Sequence, residues 1–163
     1  MSSWQNHSSD ERIAMIQTVG QDHNIEDNAV EKDWWVTVVL KALFNTSCGK
    51  WLLFKGGTSL SKGWNLINRF SEDIDISIGR NFFENVLNLT FAKCENNNQV
   101  KKLRKASRDY IHGKLSAELS AELFKLGIKG YTIQNETIAG VPPRPIDHDS
   151  DPTVIFVNYQ SIL

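Results

Sequence analysis

Within the segment from Glu72 to Ile78, polar and apolar residues alternate from Asp73 onward, and this segment constrains the fold more than any other part of the chain. Alternation of this kind predicts a strand with one face on the core and the other face exposed. The apolar face would consist of Ile74, Ile76 and Ile78. Asp73 and Asp75 would then lie side by side on the exposed face, together with Ser77.

Two carboxylates held this close repel each other, so such a pair usually shares a cation. Oxygen ligands suit a hard ion such as Mg²⁺ or Mn²⁺, which keeps several waters and shares the phosphates of a substrate. Asp73 and Asp75 are therefore the candidate metal ligands and catalytic residues. The alternative is the solvated face of an edge strand.

A glycine turn precedes this strand. Residues 51–54 are apolar and predict a short buried strand that ends at Lys55, Gly56 and Gly57. Thr58 is predicted to cap a helix that continues from Ser59 to Leu66. Glycines let a phosphate approach the backbone, and the start of a helix offers unpaired N–H groups.

Lys62 lies four residues after Thr58, so both fall on one helix face. We expect Lys62 on the exposed face of the helix, where it could neutralise phosphate charge. An ordinary strand-to-helix turn is the alternative interpretation of the whole segment.

A phosphate turn followed by paired carboxylates is typical of nucleotidyl transfer. The combination resembles the polymerase β-type nucleotidyltransferase superfamily and, more closely, the AbiEii/AbiGii toxin family. The stretches that carry the resemblance are Glu31-Lys32-Asp33-Trp34-Trp35, Phe54-Lys55-Gly56-Gly57-Thr58-Ser59-Leu60-Ser61-Lys62 and Arg69-Phe70-Ser71-Glu72-Asp73-Ile74-Asp75. The resemblance is detailed over residues 29–78 and mostly lost after residue 80.

The resemblance implies an α/β (α+β) fold with a small, mixed, twisted sheet and packed helices. It implies Mg²⁺-dependent transfer of a nucleotide from a nucleoside triphosphate to an acceptor such as tRNA or a protein hydroxyl. It also implies a cognate antitoxin. Asp73 and Asp75 would hold the metal. The expected nucleotide-binding residues are Lys55, Gly56, Gly57, Thr58, Ser59, Lys62 and Ser71.

The superfamily uses a third carboxylate on a later strand, and no convincing counterpart is evident here. The strand predicted over residues 152–159 has no acid at its inward positions. We therefore expect residues 1–163 to form a single domain that is the N-terminal part of a longer protein. The alternative is a truncated or degenerate module that binds nucleotide, RNA or antitoxin without turnover. A metal-dependent phosphohydrolase would share the carboxylates but would not need the glycine turn.

The composition is that of an ordinary globular domain, with 40% hydrophobic residues and a net charge of −1. Cys48 and Cys94 lack metal-ligand spacing and fit reduced thiols. The absence of a signal sequence or a long apolar run predicts a cytoplasmic protein without a membrane anchor. Residues 99–126 are predicted to form one helix, or two with a break near Gly113. This segment carries a basic stripe formed by Lys101, Arg104, Lys105, Arg108 and His112. This stripe could follow an RNA backbone or could be a solvated face.

Overall fold

The computed structural model describes residues 4–64, 73–136, 138–139, 142–147 and 151–163. After a short 3-10 turn (Trp4–Asn6), two helices open the fold, α1 (Ser9–His23) and α2 (Asp27–Phe44). Ser8 caps α1 through a capping box with Glu11, because each residue's side chain bonds the other's backbone N–H.

Helix α2 forms the centre of the core. Its apolar residues occupy most of its circumference, so it packs on several neighbours at once. The buried members are Trp35, Val36, Val38, Val39, Ala42 and Leu43. Trp35 stacks on Tyr159 with ring centroids 4.6 Å apart, which joins α2 to the last strand.

A long helical segment lies against α2. It consists of α5 (Asn97–Tyr110), a π-helical turn (Ile111–Leu115) and α6 (Ser116–Lys125). The segment was predicted as one helix or as two with a break near Gly113, and the π-helical turn falls at that glycine. Leu115, Leu119 and Leu123 recur every four residues and are buried.

Six strands pair as three antiparallel two-stranded units within the described residues. They are β1 (Leu52–Lys55) with β2 (Asp75–Ile78), β3 (Tyr131–Asn135) with β6 (Ile155–Tyr159), and β4 (Ile138–Ala139) with β5 (Arg144–Pro145). The predicted α+β class is confirmed. We expected a single mixed sheet. The described strands instead form three separate two-stranded units, and every pairing among them is antiparallel.

Shorter helical pieces complete the fold. They are a 3-10 turn at Gly49–Trp51, α3 (Gly56–Thr58) with a π-helical continuation (Ser59–Gly63), α4 (Arg80–Asn85), and a 3-10 turn at Thr90–Lys93. Phe82 and Phe83 of α4 are buried and make edge contacts with Tyr110 of α5. None of the helices that the structure describes is long and apolar enough to cross a membrane.

Candidate active site

The two predicted carboxylates lie at the start of β2. In the β1–β2 ladder, Lys55 is directly opposite Asp75, and Asp73 lies two residues before the pairing begins. Both aspartates are exposed, whereas Ile74, Ile76 and Ile78 pack against the core. The predicted alternation of β2 is therefore confirmed. An ammonium group opposite a carboxylate is a favourable cross-strand pair.

Gly56 joins β1 to α3 directly against Asp75. Its φ is +71°, a left-handed conformation that glycine adopts without steric cost. A Cβ placed on Gly56 would collide with Oδ2 and Cγ of Asp75. The backbone of the turn and the carboxylate are therefore in close contact, and this position requires a glycine for two independent reasons.

Gly57 differs from its neighbour. A Cβ placed there would meet nothing within 4 Å, so the backbone at Gly57 faces open space. A ligand that contacts the turn has room to approach on this side. The structure thus assigns different properties to two glycines that are equivalent in the sequence pattern.

Thr58 does not cap the helix, so this prediction was wrong. The helix already begins at Gly56, and Thr58 has helical φ and ψ of −63° and −33°. Its side chain points inward, leaving the residue 2% exposed, and Oγ1 donates a 2.6 Å hydrogen bond to the carbonyl of Asp73. The Thr58 hydroxyl fastens the turn to the acidic strand, which leaves only its backbone N–H to meet a phosphate.

The predicted helix after Thr58 is present but wider than an α-helix. Residues Ser59–Gly63 form a π-helical turn, closed by a bond from the Trp64 N–H to the Ser59 carbonyl at 3.3 Å. Ser59 is 7% exposed, and Trp64 is 71% exposed. Turns of this kind occur frequently at functional sites. The end of the predicted helix at Leu66 and the candidate residue Ser71 lie outside the described residues.

Lys62 points toward α2. Its Nζ lies 2.7 Å from Oδ1 of Asp33 and 2.8 Å from Oγ1 of Thr37. The Lys62 side chain is 25% exposed, which is less open than the exposed helix face we expected. Thr37 was missed by the sequence reasoning. Its position four residues after Asp33 was the available signal, because such residues share a helix face.

The donor set at this site fits a hard divalent cation, since Asp73 and Asp75 offer carboxylate oxygens on an accessible edge. Among the residues that the structure describes, no group of three or more His, Cys, Asp or Glu side chains is placed to hold a metal ion. Asp151, an acid of the later loop, is engaged elsewhere because both of its carboxylate oxygens accept hydrogen bonds from Arg144.

A glycine turn packed against an acidic strand, within an α+β domain, is the arrangement of a nucleotidyltransferase. The family model described as "Nucleotidyl transferase AbiEii toxin, Type IV TA system" matches residues 39–159. The chain belongs to this family. No curated protein and no solved structure matches the chain.

The matched range revises the extent of the resemblance. It continues to residue 159, so the expectation that the resemblance is mostly lost after residue 80 was wrong. It begins after Lys32 and Asp33, which therefore lie N-terminal to the matched part. Type IV toxins belong to toxin–antitoxin pairs, so the family implies a cognate antitoxin.

Proposed function

We propose that this chain is a Mg²⁺-dependent nucleotidyltransferase toxin that transfers a nucleotide from a nucleoside triphosphate to an acceptor hydroxyl, on tRNA or on a protein, and releases pyrophosphate. The contact between Gly56 and Asp75 is the observation that carries the proposal. It places the glycine turn, which is proposed to bind phosphate, against the Asp75 carboxylate, which is proposed to bind the metal.

Asp73 and Asp75 are proposed as the ligands of Mg²⁺ or Mn²⁺. Both side chains are exposed, and the Asp73 backbone is fixed by the Thr58 hydroxyl. A bound divalent cation would neutralise triphosphate charge and activate the attacking hydroxyl. Through that cation, the two carboxylates would position the reacting phosphate at the edge of β2, beside Lys55.

The turn residues are proposed to hold the triphosphate. Open space at Gly57 permits close approach of phosphate oxygens to the backbone. Lys55 and Lys62 would supply positive charge from the two ends of the turn. The Ser59 backbone N–H already donates to the Gly56 carbonyl, so the proposed role of Ser59 rests on the sequence pattern. Ser71 is retained as a proposed contact on the sequence pattern alone. A protein with these substrates would act in the cytoplasm, where its antitoxin would also bind.

The test is a transfer assay with each labelled nucleoside triphosphate, Mg²⁺ and total tRNA, followed by gel separation of RNA and protein. Calorimetry with Mg²⁺ and the same triphosphates measures binding separately. The double variant Asp73→Asn with Asp75→Asn should lose both transfer and Mg²⁺-dependent triphosphate binding. Asp22→Asn is the matched control, because it removes one exposed carboxylate from α1, far along the chain from the site.

Unchanged Mg²⁺-dependent binding in the double variant would refute the metal assignment. Triphosphate binding without transfer to either acceptor would support the non-catalytic binding module instead. Release of free phosphate without any labelled acceptor would point to a phosphohydrolase.

A further inference from the structure

A second cleft lies at the other end of β2. It encloses about 380 Å³, a size within the range of small-ligand sites. Ile78, the last residue of β2, contributes to its wall, whereas Asp75 is the first residue of that strand. Three residues of an antiparallel strand span roughly 10 Å. The cleft is therefore distinct from the candidate active site but connected to it by one strand.

Arginine dominates the charge of this cleft. Arg80 of α4 and Arg104 and Arg108 of α5 line it, and the opposing lining carboxylate is Asp151. The Asp151 carboxylate accepts hydrogen bonds from Arg144 at 2.7 and 2.8 Å. The Asp151 carboxylate is thus paired with an arginine outside the lining, and the described lining carries three guanidinium groups and one carboxylate.

Arg108 is the most informative of these residues. It is 8% exposed, and one guanidinium nitrogen donates to the Asp151 carbonyl at 3.2 Å. Guanidinium stays charged at all ordinary pH values, and burying that charge is costly unless anionic or polar partners surround it. Arg108 therefore contributes a permanent positive charge to the wall of the cleft, at a position held by the Asp151 carbonyl.

The remaining wall is apolar and includes Ile78, Phe83 and Leu103. A planar guanidinium recognises phosphate through two parallel hydrogen bonds, and an apolar wall accommodates a base or a sugar ring. We propose that this cleft binds a nucleotide through its phosphate group. The nucleotide is either free or one unit of an RNA strand. The choice of a nucleotide over another organic phosphate rests on the proposed function.

The basic stripe contains two sets of residues on α5. Arg104 and Arg108 line the cleft, whereas Lys101 and Lys105 of the same helix do not and are exposed. This difference supplies a control, since replacing Lys101 and Lys105 removes two positive charges from the same helix and leaves the lining of the cleft unchanged.

The experiment measures binding of a fluorescent single-stranded RNA oligonucleotide by anisotropy, without Mg²⁺ or triphosphate. A nucleoside monophosphate and inorganic phosphate are then tested as competitors. The Arg80→Gln and Arg104→Gln double variant should bind the RNA at least about 100-fold more weakly, because it loses two charge-assisted contacts that are each worth about tenfold or more. The Lys101→Gln and Lys105→Gln control should stay within about twofold.

The single variant Arg80→Gln guards against misfolding of the double variant. Arg80 is exposed and is the first residue of α4, where a cation adds nothing to helix stability. It should weaken binding by about tenfold while thermal unfolding stays unchanged.

Competition by the monophosphate would assign the cleft to a free nucleotide. Binding of the RNA without competition by the monophosphate would assign the cleft to an RNA strand. Equal losses in the arginine and lysine variants, or no loss in either, would overturn the proposal. Because no transfer is measured, failure of the proposed enzymatic function would leave this result unaffected.

Discussion

Lys62 and Asp33 form an ion pair between the helical segment after the glycine turn and α2, with Nζ 2.7 Å from Oδ1 and 2.8 Å from Oδ2. Thr37 Oγ1 accepts a further hydrogen bond from the same ammonium group at 2.8 Å. Lys62 is therefore held beside the turn by two residues of the core helix. A cation that is already positioned loses less conformational freedom when a phosphate binds.

Replacing Lys62 with methionine should weaken triphosphate binding far more than it weakens the fold. Loss of one charge-assisted contact, roughly 1.5–3 kcal/mol, corresponds to about a 10- to 150-fold rise in Kd. The ion pair is partly exposed, so the free energy of unfolding should fall by no more than about 1 kcal/mol. Calorimetry with triphosphate and urea unfolding measure the two quantities.

Asp33→Asn is the control for the Lys62 variant, because it removes the partner and keeps the cation. Triphosphate affinity should fall much less than in Lys62→Met, because the cation remains and loses only one of the two residues that position it. A loss as large as that of Lys62→Met would contradict a direct phosphate contact by the lysine.

Alanine substitutions at the two glycines of the turn should have opposite results. Gly56→Ala forces a non-glycine residue to a φ of +71° and drives its Cβ into Asp75, so it should cost at least about 1–3 kcal/mol. Gly57→Ala meets open space within α3 and should be neutral or stabilising by up to about 1 kcal/mol.

Urea unfolding and Mg²⁺ titration should be measured for both alanine variants. Gly56→Ala should also weaken the metal affinity, because the Asp75 carboxylate must move. Equal behaviour of the two variants would show that the close contact between Gly56 and Asp75 is unimportant in solution.

Thr58→Val should destabilise the protein by roughly 1–3 kcal/mol, because it leaves the Asp73 carbonyl without its 2.6 Å hydrogen bond. Thr58→Ser keeps the hydroxyl and loses only a buried methyl group, at a cost of about 1 kcal/mol. The serine variant should retain the wild-type Mg²⁺ affinity, and the valine variant should not. Retention by both would mean that Thr58 stabilises the turn without positioning Asp73.

The strand of the candidate site could be predicted from sequence because its information is local. A period of two places Asp73 and Asp75 on one face whatever the rest of the chain does. The close contact between Gly56 and Asp75 was not evident in the same way, because it depends on the register that pairs Lys55 with Asp75. The family pattern indicated only that glycines precede the acids.

Side-chain partners were the part that local sequence could not supply. Thr58 has a residue type suited to capping, but the helix begins two residues earlier, and the hydroxyl turns to a carbonyl fifteen residues away. Lys62 was expected on an open face, yet it pairs with Asp33, twenty-nine residues away. Both outcomes depend on how α3 packs between α2 and β2, which is a tertiary relationship.

The ion pair between Arg144 and Asp151 should make the loop that contains them sensitive to acid. Hydrogen bonds from Arg144, assisted by the Asp147 N–H, lower the pKa of Asp151 from 3.8 to about 2. A carboxyl whose pKa is lower in the folded state stabilises that state above its unfolded pKa. This contribution should therefore be complete above pH 3.8 and should disappear as the pH falls toward 2.

Carboxyl carbon shifts of Asp151, followed by NMR across this range, should give a midpoint near the lower value. Arg144→Gln removes the donor and should return the Asp151 midpoint toward 3.8. A wild-type midpoint near 3.8 would show that the ion pair does not persist in solution. In that case the Asp151 carboxylate would reduce the positive charge of the cleft, and RNA should bind there more weakly.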